Sequence, residues 1–141
     1  MIEVSYLGIL LAAVASMIIG SIWYGPLFGK KFMALMEFDK MSPEEQAKMK
    51  KGMVKSYIGQ FIASLVMFYV LAHVMYLSGY FYGYSPLQAG LCSALWVWVG
   101  FVVPVKFGDA IWGGKMGLFW INIGSFLLTL LAAGATIGAF Q

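Results

Sequence analysis

Four stretches of this chain, 4–24, 54–78, 87–105 and 117–140, run almost unbroken through apolar residues, and nearly all charged positions fall between them. Each stretch meets the ~20 residues that an α-helix needs to cross about 30 Å of hydrocarbon. A soluble core helix would not be so uniformly apolar, and the short alternating segments of a membrane barrel are not visible. The pattern predicts an all-α polytopic membrane protein, a four-transmembrane-helix bundle built as a single membrane domain over residues 1–141. Helices suit lipid because each satisfies its backbone hydrogen bonds internally.

Composition agrees with this reading: 62% of the residues are hydrophobic, 11% are charged, and the mean hydropathy is +0.85. Charge placement adds an orientation. Lys30, Lys31, Lys40, Lys48, Lys50 and Lys51 lie between the first two spans with Lys55 at the second span's edge, and Lys106 and Lys115 lie between the last two. The 77–86 connection carries no charge, and only Glu3 precedes the first span. Short cytoplasmic loops retain Lys, so loops 25–53 and 106–116 are expected inside and both termini outside, in a multi-pass protein of the cell membrane. The first span could instead be a cleaved signal, with Ala13-Val14-Ala15 resembling a cleavage site. No basic residue precedes it, however, and the apolar run continues to Trp23-Tyr24, so retention is expected. The formal net charge of +3 gathers on the cytoplasmic side, where anionic lipids rather than nucleic acid are the expected partner.

Within loop 25–53, Ser42-Pro43-Glu44-Glu45 has the form of a helix start, with serine as the cap, proline at the first helical position and glutamate reaching back. A short helix through Gln46 to Lys51 should follow. Early acids and late lysines suit its dipole. Met49 and Met53 add apolar contacts, so this helix is expected at the inner membrane surface, running into the second span across Gly52.

Candidate chemistry is sparse. Cys92 is the single cysteine, which excludes an intrachain disulfide and a thiolate cluster, and no metal site is expected. His73, the single histidine, has a plain reading as a hydrogen-bond partner of Thr136 or a carbonyl. Its sharper readings are a proton relay, an axial ligand to a pigment or haem shared between subunits, or an external metal site, for which a lone histidine lacks companion ligands. The sequence names no cofactor.

Polar residues inside spans are costly without partners and are the better candidates for a site. Gln60 and Asn122 each lie about one and a half turns from the inner end of their spans, and Ser64 and Ser125 extend that layer by a turn. Such a layer is either a hydrogen-bonded clamp between helices or the lining of a path. Pro104 would free a carbonyl nearby. Trp96 and Trp98 fall near the middle of the third span, where they either pack between helices or stack on a ligand. Other aromatics suit interfacial belts: Tyr76, Tyr80, Phe81, Tyr82 and Tyr84 outside, and Trp23, Tyr24, Phe28, Phe32, Trp112 and Trp120 inside.

Small residues mark contact faces. Gly8, Ala12, Ser16 and Gly20 recur every fourth position in the first span, and Gly134 and Gly138 form a GxxxG pair in the fourth. They serve packing within one chain or between chains. A weak repeat links the inward exits of the first and third spans: Trp23 through Pro26, Phe28, Gly29 and Lys30, and Trp98 through Pro104, Lys106, Phe107 and Gly108.

The motif Trp23-Tyr24-Gly25-Pro26-Leu27-Phe28-Gly29-Lys30, followed by Phe119-Trp120-Ile121-Asn122-Ile123-Gly124 and a closing Gly134-Ala135-Thr136-Ile137-Gly138, resembles the small prokaryotic membrane family called domain of unknown function 1761. The resemblance covers nearly the whole chain. It implies a four-span integral membrane protein of unassigned activity and transfers no catalytic residue; Trp23, Tyr24, Pro26, Phe28, Gly29 and Asn122 match its motifs.

With no nucleotide motif, no carboxylate within a span and no paired histidine, the chain is expected not to be an enzyme. The leading expectation is an accessory or structural subunit assembling through small-residue helix faces, as a homo-oligomer or with a larger membrane complex. The alternative is an oligomeric carrier or channel for a small or lipid-like ligand, using the layer at Gln60 and Asn122 with Trp96 and Trp98.

Overall fold

The computed structural model describes residues 2–141, and every regular element among them is helical. Helix α1, Tyr6–Ile22, continues through a π-helical turn, Trp23–Leu27, into α2, Gly29–Leu35. A short 3₁₀ turn leads to α3, Pro43–Lys51, and then to α4, Met53–Tyr82. Helix α5, Pro86–Val97, passes through a second π-helical turn, Trp98–Val102, into α6, Val103–Gly113, and α7 is Met116–Ala139. Four helical units are long and apolar enough to cross a membrane: Tyr6–Leu27, Met53–Tyr82, Pro86–Gly113 and Met116–Ala139.

Local chemistry sets the boundaries. The Ser42 hydroxyl accepts from the Glu45 N–H while the Glu45 carboxylate accepts from the Ser42 N–H, both at 3.2 Å, which is the expected reciprocal cap. Ser85 and Gln88 form the same cap on α5, a Ser-Pro-x-Gln signal equally present in the sequence. Gly83 and Gly114 end α4 and α6 at φ +67° and +69°, a left-handed conformation that glycine adopts without penalty.

Two expected connections prove much shorter. The 77–86 segment is helical through Tyr82, and the 106–116 loop is mostly α6, leaving Gly114 and Lys115 as its turn. Pro104 does not end the third span because it falls in the first turn of α6, just after the π-turn, where its missing N–H breaks no regular ladder. Lys106 therefore stands on a helix about 10 Å above that turn instead of in a loop.

Helix α7 is the centre of the bundle, antiparallel to both α1 and α5, while α4 packs on α1 and α5. The core joins Ile9, Ala12 and Ala13 of α1 to Phe68, Leu71, Ala72 and Met75 of α4, Ala89 and Ala94 of α5, and Leu130, Ala133 and Ile137 of α7. The α5–α7 crossing is made backbone on backbone. A Cβ on Gly90 would fall 2.2 Å from the Gly134 carbonyl oxygen, and one on Gly138 would fall 2.7 Å from that of Pro86. On the opposite side, a Cβ on Gly8 would meet Ile137 Cα at 3.2 Å.

Of the two uses expected for the small-residue faces, these contacts show packing within the chain. Gly8, Ala12 and Ser16 are buried by α7 and α4, and Gly134 and Gly138 by α5. In lipid, close packing is what holds helices together, so the chain folds on the faces best suited to it. Gly20 is the exception, with nothing within 4 Å of a Cβ built on it.

Candidate functional site

Gly20 is open because α4 diverges there. Every buried residue of α4 lies at or beyond Ser64, whereas Met53, Val54, Tyr57, Ile58 and Ile62 are exposed. The first half of this helix thus stands away from α1 and α7. Between them lies a partly enclosed cavity of about 520 Å³. Its volume falls in the ~300–1,000 Å³ range of small-molecule sites.

The cavity gathers the polar layer. Gln60 and Ser64 of α4 face Asn122 and Ser125 of α7 across it, with Ser16, Ser21 and Tyr24 of the first span between. Gln60 and Asn122 do not clamp each other. The Tyr24 hydroxyl instead donates to Asn122 Oδ1 at 2.6 Å, and Ser64 donates to the Gln60 carbonyl at 2.9 Å with Ser16 Oγ 3.4 Å away. Among the described residues the Asn122 NH₂ and the Gln60 side-chain amide make no hydrogen bond to the protein; Asn122 is half-buried and Gln60 exposed. Amide groups left free along the wall of a largely apolar cavity are available to water or to a ligand.

Several lining residues were not singled out from the sequence. Ser56, one helical turn before Gln60, and Thr129, one turn beyond Ser125, extend the two polar stripes; their spacing of three to four residues was a usable signal. Met17, Met36, Met53 and Met67 contribute to the apolar wall. Lys106 brings the one charge to the lining, its ammonium 5.8 Å from the centre of the Phe126 ring and 3.4 Å from Asp109 Oδ2.

The tryptophan pair does not belong to this cavity. Trp96 is 77% exposed on the outer face, while Trp98 points inward and donates its indole N–H to the Ile123 carbonyl at 2.8 Å. Positions two apart on a helix diverge by about 200°, so the two rings could not share one ligand. His73 also lies elsewhere: its Nδ1 hydrogen-bonds the Tyr69 carbonyl at 2.8 Å and its ring packs on Tyr69 at 4.5 Å, whereas Thr136 donates to Ala132. No cluster of three or more His, Cys, Asp or Glu able to hold a metal occurs among the described residues.

The sequence repeat acquires a structural meaning. The first and third spans each contain a π-turn that begins at a tryptophan, Phe28 N–H bonding the Trp23 carbonyl and Val103 N–H the Trp98 carbonyl. The first turn contains Pro26 and the second is followed by Pro104, prolines whose missing N–H a regular helix would not absorb. Both indoles reach α7: Trp23 donates to Ile121 O at 3.0 Å and Trp98 to Ile123 O at 2.8 Å. Gly124 gives Trp23 its seat, since a Cβ there would lie 2.8 Å from Trp23 Cζ2. Gly29 is equally constrained, its Cβ position being 2.9 Å from the Tyr24 carbonyl oxygen. Phe28 packs on Trp23 at 4.7 Å.

Trp23-Tyr24 and Ile121-Asn122-Ile123-Gly124, distant in sequence, are thus two halves of one contact, which presents Tyr24 and Asn122 to the cavity. Fold and site together define a class: bundles of four helices long and apolar enough to cross a membrane, with a partly enclosed, largely apolar cavity near one end. The chain belongs to the family described as protein of unknown function, DUF1761, whose model matches residues 7–138. Comparison with curated proteins and with solved structures returns no match.

Proposed function

We propose that this protein is a non-enzymatic membrane receptor or carrier for a small amphiphilic ligand, held in the cavity between α1, α4 and α7. The observation that carries this reading is the partly enclosed cavity of about 520 Å³, whose largely apolar wall carries the side-chain amides of Gln60 and Asn122 with hydrogen-bonding capacity to spare. Polar groups within a span are retained at a cost, and a bound molecule supplies the missing hydrogen bonds. Methionine side chains on the wall adapt to apolar chains of varied shape.

The distribution of lysines supports a cytoplasmic cavity mouth, with both termini outside and α3 lying at the inner surface of the cell membrane against anionic lipids. The accessory-subunit reading has less support, because the small-residue faces on which it depended are occupied within the chain. Oligomerisation through other faces is compatible with the carrier.

Gly20 supplies the test, since it lines the cavity and has no neighbour within 4 Å of its Cβ position. In Gly20→Phe the ring fills the cavity without straining the backbone. Native mass spectrometry of protein reconstituted with a polar lipid extract should show a reproducible bound mass on the wild type and its loss in the variant. Equal retention by both, with unchanged thermal stability, overturns the reading.

A further inference from the structure

We infer that the ligand of this cavity is anionic, an amphiphile whose phosphate or carboxylate group is recognised by Lys106; this rests on the carrier reading above. Lys106 is the only charged residue in the cavity lining, which contains no carboxylate. A cationic headgroup would meet the ammonium with no carboxylate in the lining to receive it, whereas an anionic one gains a charge-assisted hydrogen bond.

The position of Lys106 strengthens the argument. Lys115, on the same hairpin, lies at the turn, whereas Lys106 is held about 10 Å up the bundle by helix α6. Its side chain retains 33% exposure and leans toward Phe126, a lining residue of α7. A lysine serving only to orient the chain would be as effective at the turn. A charge set deeper needs a partner to offset its desolvation.

Its present partner is Asp109, one turn along α6, at 3.4 Å and with its own side chain 65% exposed. Such an exposed, single-contact pair is weak and exchangeable. An incoming anion therefore competes with Asp109 for the same ammonium, so Asp109 tunes affinity from outside the lining. Around the headgroup, the NH₂ groups of Asn122 and Gln60 offer neutral hydrogen-bond donors, while the Ser56 and Ser64 hydroxyls already donate to the Gly52 and Gln60 carbonyls. The methionine-lined wall takes the chain.

The experiment compares three probes with one oleoyl chain, 1-oleoyl lysophosphatidate, oleate and 1-oleoylglycerol, added to full-length protein in a neutral detergent and read by native mass spectrometry. Lysophosphatidate, oleate or both should be retained over the glycerol ester, and whichever is held tighter identifies phosphate or carboxylate as the source. Lys106→Gln should weaken that retention about tenfold, the factor for one hydrogen bond to a charged group. Lys106→Arg should preserve it, Asp109→Asn should raise it, and Lys115→Gln should leave it unchanged. Equal binding of all three probes, blocked by Gly20→Phe but indifferent to Lys106→Gln, overturns the anionic ligand and leaves the carrier reading standing. Binding of no probe that Gly20→Phe can block overturns both. Equal losses in Lys106→Gln and Lys115→Gln would reduce the effect to general surface charge and also overturn the assignment.

Discussion

Adding a single methyl group at Gly90 should open the bundle at its tightest crossing. The new Cβ would stand 2.2 Å from the Gly134 carbonyl oxygen and 2.7 Å from its carbon. Both obstacles are backbone, and no side-chain rotation can relieve them. To reach ordinary contact, α5 and α7 must separate by about 1 Å, which forfeits roughly a quarter to a half of the dispersion energy along the crossing. Overpacking of this kind costs ~1–3 kcal/mol, and the rigid obstacle places Gly90→Ala at the upper end. Gly20→Ala is the matched control, because the same methyl there meets nothing within 4 Å; its effect should stay within about 0.5 kcal/mol. Both can be measured by titrating purified protein from mild detergent into a denaturing one and following tryptophan fluorescence, while native mass spectrometry records subunit number. The reasoning fails if Gly90→Ala matches the wild type, or if Gly20→Ala loses as much. A change in subunit number without loss of monomer stability would show that this glycine contact joins chains.

Other contacts make separate demands on the same assay. Gly124→Ala should cost ~1–3 kcal/mol by driving a methyl into Trp23, and combining it with Trp23→Phe, which removes the clashing Cζ2, should cost less than the sum of the two by about 1 kcal/mol; strict additivity would mean that the two motifs do not touch. Trp98→Phe should lose ~0.5–1.5 kcal/mol with the hydrogen bond to Ile123 O, whereas Trp96→Phe, on the outer face, should be neutral for stability and for ligand retention; the opposite order would show that the outward ring is the one that matters.

The four spans were legible in the residues because lipid selects them one at a time. A run such as 117–140 is apolar enough to be membrane-stable whatever its neighbours do. The same is true of the caps: Ser42 and Glu45 bond each other within one turn, so sequence neighbours carry the whole signal. The tryptophan-proline repeat was visible for a related reason, since the cost of a proline N–H missing from a helix is local.

Contacts between spans were beyond that reach. Uniformly apolar helices have no strong polar face to declare which side turns inward, so nothing in the residues alone separated inward Trp98 from outward Trp96. Gly134 and Gly138 announced a close approach but not its partner, and tertiary packing assigned them to α5 of the same chain. Asn122 was marked by its depth, yet its hydrogen bond to Tyr24 joins residues 98 positions apart. The cavity itself exists because α4 leaves the bundle below Ser64, a consequence of how three helices meet. Residue chemistry made these helices long and apolar enough to cross a membrane, and only their mutual packing decided where a cavity was left between them.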